Sequence, residues 1–388
     1  MKLTIHLTLL LLLVLGFISN IFADSNPYLG TSIEDFQKEG VSPNKIEAWE
    51  DGLRTTTEPG TYEWWYFDGH MEDGTKVVVV YYTKSLYRPM DPFTPSISIT
   101  ITSPEGDVYY KYKAFTAKSA FFATDKCDIR VGGNAVSGDL TNYQIYASID
   151  DLAVDLNLRR MVPSWRPGNG HVYFGEEKTQ KYFAWLPSVP NGEMTGTISY
   201  NGETHSVQGS GYHDHNWGNA ALSSLLKNWW WTRVQVDDYT LIGAELRTRD
   251  EYGDIKLPLF AAITPEQIIA DKAFENTTME LKESNFAIHP DPGSNELIAR
   301  QLNFNYEQED KLIVNLDLQL NEMIGSKDLL KLSTLSDEEI AAAKKAGASP
   351  WYTRFSSTAT INIIERLNKG FSFVTADGFA VTEKMDFE

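Results

Sequence analysis

The chain has 388 residues, a formal net charge of −19, and hydrophobic and aromatic contents of 42% and 12%. That length supports a large core and two domains. The acidic balance, with no basic run anywhere, argues against a nucleic-acid backbone or an anionic membrane surface as partner.

Met1 to about Ala23 reads as a secretory signal. Lys2 supplies the positive start, Leu9 to Ile18 the apolar stretch and Ile21-Phe22-Ala23 a small-residue exit. The apolar run is short for a membrane anchor, and acidic residues (Asp24, Glu34, Asp35) follow it. A secreted or periplasmic protein without a stable membrane anchor is therefore expected. Cys127 is the only cysteine, so an exported chain stands on its core alone, with no internal disulfide and no zinc site of several thiolates.

Residues 24 to about 58 are polar and mixed, with a short helix expected at Ser42 to Asp51, and form a lead-in rather than a domain. From Tyr62 onward the pattern is strands and turns. Glu63 to His70 and Lys76 to Tyr82 flank Glu72-Asp73-Gly74 as a hairpin. Ser96 to Thr102, Val108 to Phe115, Asn134 to Leu140, Tyr143 to Asp150, Ala153 to Arg160, Lys181 to Leu186, Gly192 to Tyr200 and Thr204 to Gly209 continue the series, with Asn201-Gly202 as a tight turn. A second set starts at Asn228 and runs to Met385. One helix interrupts it, with Ser336 and Glu339 as a capping box and Gly347 and Pro350 as its stop. Short strands at this spacing imply an all-β chain, either antiparallel sandwich or barrel. The expected domains are 59–222 and 223–388. Asn276-Thr277-Thr278 is a glycosylation sequon, relevant only in a eukaryotic source.

Two of the seven histidines stand one residue apart in Ser210-Gly-Tyr-His-Asp-His-Asn-Trp-Gly-Asn219. On a strand, His213, His215 and Trp217 share one face, while Tyr212, Asp214 and Asn216 share the other. The pair reads in three ways. It is half of a zinc site that lacks a third ligand of diagnostic spacing, since His70, His171 and His205 offer none. It is a hydrogen-bonded structural pair inside a β-corner. Or it is the proton-exchanging edge of a ligand pocket, because a histidine titrates near neutral pH. Asp214, facing the other way, is expected to fix the local chain together with Asn216.

Trp65 and Phe67 align on one face of their strand, Trp64 and Tyr66 on the other. Trp229, Trp231 and Arg233 align on theirs. Arg233 suits a ligand carbonyl or carboxylate, or an indole face. Each cluster is equally explained by core packing, but two Trp-rich strands beside a His-Asp-His strand suggest an aromatic-lined cavity. No nucleophile elbow, phosphate loop, dinucleotide fingerprint or His-Glu-x-x-His motif is present.

Glu63-Trp64-Trp65-Tyr66 with Gly69-His70, and Gly211-Tyr212-His213-Asp214-His215-Asn216-Trp217-Gly218 further on, resemble the lipocalin-like superfamily of AttH-type proteins. That superfamily includes carotenoid 1,2-hydratases (hydroxyneurosporene synthases), kievitone hydratase-like enzymes and decalin-forming Diels-Alderases. Phe183-Ala184-Trp185 and Pro190 through Gly196 strengthen the match, which is specific in the first half and weak after Leu246. The resemblance implies two lipocalin-like β-barrels in series and no metal or organic cofactor.

The expected function is a secreted, cofactor-independent enzyme that binds a hydrophobic, unsaturated molecule and hydrates or cyclises it. His213 and His215 are the candidate catalytic residues. Trp65, Phe67, Trp217, Trp229, Trp231 and Arg233 are the candidate substrate-binding residues. The alternatives are a carrier of a lipophilic ligand with the same pocket, and a carbohydrate-active protein. The enzymatic reading needs His213 or His215 to line a closed apolar cavity with Trp65 or Trp217 on its wall.

Overall fold

The computed structural model describes residues 26–85, 88–294, 296–332, 337–345 and 349–388. The expected signal segment, Ser336 and Gly347 lie outside the described residues.

The chain forms two curled antiparallel sheets, one of 13 strands and one of 9. In the first, the strand Tyr62–Met71 pairs with Lys76–Tyr82 on one side and Glu203–Gly218 on the other. The hairpin joining Lys181–Tyr200 to Glu203–Gly218 closes through Asn201 and Gly202, both at positive φ (53° and 79°), as a tight right-twisted turn requires. Stretches that read as separate short strands are single long ones. Lys181–Tyr200 carries Pro187 and Pro190, which cannot donate to a ladder, and its pairing slips between Leu186 and Val189 and again before Gly192. Leu226–Val236 opens the second sheet and pairs with Phe371–Asp386, which brings the C-terminal strand back beside the first strand of its sheet.

Alternation along the strands sorts the apolar residues into three layers. Trp65, Phe67, Val79, Ile145 and Leu158 fill the curl of the first sheet. Trp230, Val234, Phe304 and Phe355 fill the second. Tyr62, Trp185, Tyr212, Trp231, Leu259 and Val381 form a third layer between the two sheets. Both faces of Tyr62–Met71 are apolar for this reason: one meets its own barrel interior and the other meets the second sheet.

The lead-in departs from the expectation of a helix at Ser42 to Asp51. The α-helix is Ile33–Glu39, capped by Ser32 and Asp35 in a reciprocal box and ended by Gly40 at φ 69°. Only Ala48–Asp51 is helical in the expected stretch, as a 3-10 turn. Helix Asp337–Lys345 lies in the second half as expected, accompanied by the single turns Leu222–Leu225 and Leu329–Leu332.

Candidate active site

The strand Glu203–Gly218 has side chains on two faces with different surroundings. His213 and His215 point into the first barrel and are fully buried. His213 stacks on Phe67 with ring centroids 4.0 Å apart, and His215 stacks on Trp65 at 4.3 Å. Both register pairs are direct cross-strand neighbours, which is why these rings meet.

The polar partners come from the lead-in and from the strand Tyr62–Met71. His213 Nε2 lies 3.1 Å from Asp51 Oδ2, and its Nδ1 lies 3.0 Å from the Tyr66 carbonyl oxygen. His215 Nδ1 faces the Glu50 carbonyl oxygen at 3.3 Å, and its Nε2 faces Glu63 Oε2 at 3.4 Å. Tyr143 donates its hydroxyl to Asp51 Oδ2 at 2.6 Å, and Trp65 donates Nε1–H to the Asp51 carbonyl at 2.9 Å. Burial opposes ionisation of Asp51, but the His213 ring beside it outweighs that penalty and holds the carboxyl below its usual range. Both ring nitrogens of His213 are thus taken up by oxygen partners of the protein itself. Asp51, Cys127 and His213 do bring one potential ligand atom each within 4.8 Å, but the carboxylate is already engaged by His213 and Tyr143.

The opposite face meets a partly open cleft of about 80 Å³ between the sheets. Trp64, Tyr66, Trp185, Trp229 and Trp231 wall it, Leu246 and Leu259 close its second-sheet side, and Asp214, Asn216 and Glu383 are the polar groups that reach it. Asp214 Oδ2 accepts from Trp185 Nε1 and from the Tyr212 hydroxyl, each at 2.8 Å, and its Oδ1 accepts from Asn216 Nδ2 at 2.7 Å. Burial among indoles raises the Asp214 carboxyl to about 6 even against these three donors. Asp214 is thus hydrogen-bonded to Asn216 and presents its carboxyl to the cleft.

An ionic cluster adjoins one end of the cleft. Arg233 Nε donates to Asp68 Oδ2 at 2.7 Å, and Arg354 Nη2 reaches Asp68 Oδ1 at 2.5 Å. Glu383 Oε1 accepts from Tyr352 at 2.5 Å and Tyr66 at 3.1 Å, with Arg354 Nε at 3.3 Å. Burial opposes ionisation of Asp68, but its two guanidinium partners hold the carboxyl well below the usual carboxylate range. Burial pushes the Glu383 carboxyl up despite Arg354.

The expected site residues therefore divide. Trp229 and Trp231 line the cleft. Arg233 lies two positions further along the same strand, in the ionic cluster. Trp65 and Phe67 are packed inside the first barrel with the two histidines. Trp217 packs with Ala184 and Leu186, its ring 4.7 Å from that of His215. The histidine pair does not meet the cleft, so the expectation of imidazoles lining an apolar cavity is replaced by a carboxyl on the adjacent face. The alternation of the strand carried the signal for Asp214. Nothing local marks Asp51 or Glu383, whose partners are distant in sequence.

Two curled antiparallel sheets stacked on a shared aromatic layer, with an acid-bearing cleft between them, define a double lipocalin-like β-protein. The AttH-like family model matches residues 56–285, and the chain belongs to that family. The quinolone epoxide rearrangement protein asqO of Emericella nidulans is 24% identical over 209 residues, covering 49% of this chain and 55% of that protein. A hydroxyneurosporene dehydrogenase of Chlorobaculum tepidum is 24% identical over 212 residues, covering 45% of this chain and 54% of its own. The chain thus spans about half the length of these curated relatives. Among solved structures, CghA superposes with a TM-score of 0.63 at 13% identity, over 94% of this chain and 96% of that one. Kievitone hydratase from Nectria haematococca gives 0.52 at 11% identity, over 93% and 97%. At such identities these two likenesses establish the fold alone.

Proposed function

We propose that this protein is an enzyme that converts a hydrophobic, unsaturated small molecule in the cleft between its two sheets, by hydration or by intramolecular rearrangement or cyclisation. The observation that carries the reading is Asp214, an acid raised to about 6 inside an aromatic cleft and oriented by three donors. Its relatives act on small molecules according to their names, as a quinolone epoxide rearrangement protein and a hydroxyneurosporene dehydrogenase. CghA has been crystallised with the small molecule Sch210972.

In this reading Asp214, protonated, gives its proton to an alkene carbon or an epoxide oxygen. The cation that forms lies against the indole faces of the cleft, each worth about 0.5–2 kcal/mol of attraction when desolvated. Water or an internal nucleophile then adds, and the proton it releases returns to the Asp214 carboxylate. The roles expected of His213 and His215 pass to positioning: they hold the strand on which Asp214 stands. Export, expected from residues 1–23, belongs to the same proposal and is tested by the mass of the mature N-terminus.

The test is mass spectrometry of lipophilic extracts incubated with wild type and Asp214→Asn. The variant should lose roughly 10²-fold or more of the turnover while still retaining bound ligand. Unchanged turnover would discard Asp214 as the acid. A carrier is favoured instead by one observation, the absence of the histidine pair from the cleft wall. Recovery of unaltered ligand with wild-type protein, and no product, would establish the carrier.

A further inference from the structure

The walls of the cleft change character in one direction on several strands at once. On Tyr62–Met71 the face that meets the second sheet runs Trp64, Tyr66, Asp68, His70. On Leu226–Val236 it runs Trp229, Trp231, Arg233. Tyr352 is followed by Arg354 on the facing strand. The cleft is aromatic along its length and ends at buried charge.

That charge does not balance. Arg233, Arg354 and Lys327 stand against Asp68 and Glu383, and burial holds His70 in its neutral form. Arg233 Nη2 is fully buried with no hydrogen-bond partner. The Lys327 ammonium lies over the Tyr110 ring, 4.2 Å from its centroid. Burial and the neighbouring Arg354 pull it down to about 8. A buried guanidinium nitrogen without a partner is costly, and a cleft that leads toward it can supply the missing acceptor.

We propose that the molecule taken by the cleft is a hydrophobic acid, whose carboxylate or enolate oxygen is received at the Arg233–Arg354–Lys327 end while its apolar body lies between the indoles. This rests on the assignment of the cleft as the substrate site. Tyr66 stands at the boundary with its hydroxyl on Glu383, and can turn that hydrogen toward the arriving oxygen. The acid at the other end, Asp214, is then presented to the apolar part of the substrate rather than to its anion.

Isothermal titration of the full chain with 2-naphthylacetic acid and with its primary amide tests this at about pH 7.5, where the acid is ionised. The two probes share shape and differ in charge. Wild type should bind the acid about ten-fold or more tighter than the amide, the scale of one charge-assisted hydrogen bond. Lys327→Met should bring the ratio to about one with amide affinity unchanged, and Arg233→Gln serves if that variant fails to give a native circular dichroism spectrum. Equal binding of acid and amide to wild type overturns the anion assignment and leaves the cleft as a site. Binding of neither overturns the cleft assignment and this one with it.

Discussion

His213 donates to Asp51 across 3.1 Å in the interior of the first barrel, and the two residues stand 162 positions apart in the chain. The bond fastens the lead-in to the strand that carries Asp214. Removing one partner from a buried hydrogen-bonded contact costs about 1–3 kcal/mol, because the other is left unsatisfied. Asp51→Asn should lose that much stability in urea titrations, and amide exchange should quicken across residues 48–55.

The same carboxylate sets an acid limit. Asp51 and Asp68 both have folded-state values below the ordinary carboxylate range. Groups lowered on folding contribute stability above their unfolded value, and that contribution is lost as pH falls through the folded one. Stability should therefore decline below about pH 4, and Asp68→Asn should flatten the decline. The variant also leaves Arg233 and Arg354 without their shared partner between the sheets. Calorimetry should then show two thermal transitions in place of one.

Asp214 titrates in the opposite sense. Its folded value is raised to about 6, so the protonated form is favoured by folding and the group costs stability as pH rises through that value. An acid that must be protonated to act gives a kcat/KM that falls above about pH 6. The pH–rate profile of wild type checks this, and a flat profile from pH 5 to about 8 would remove Asp214 from the chemistry.

Gly196 has φ +146°, and a Cβ there would lie 2.1 Å from the Asp155 carbonyl oxygen on the neighbouring strand. Only glycine permits that approach. Gly196→Ala should cost about 3 kcal/mol or more, measured by urea unfolding, and should widen the ladder that also carries Trp185.

Strand alternation made much of this legible. His213 and His215 on one face and Asp214 and Asn216 on the other follow from a period of two, as do the aligned Trp229, Trp231 and Arg233. Which face meets a cleft is not legible, because Trp65 with Phe67 and Trp64 with Tyr66 are equally apolar. The difference lies in what each faces, a closed interior or a second sheet. Glu383 and Arg354 belong to strands that read simply as β, and only the sheet order brings them to Asp68. The lead-in carries no sign that Glu50 and Asp51 are buried acids, one paired with Arg166 and the other with His213.

The stretch around Asp51 leaves the ribosome early, yet its receptor strand, Glu203–Gly218, is made some 150 residues later. The Trp65 indole can hold the Asp51 backbone in the meantime, but the contacts to His213 and His215 close a far longer loop and wait for that strand. Docking of Glu50 and Asp51 onto that strand should appear as a late, slow folding phase, and a chain lacking residues 1–52 should collapse without reaching that final state.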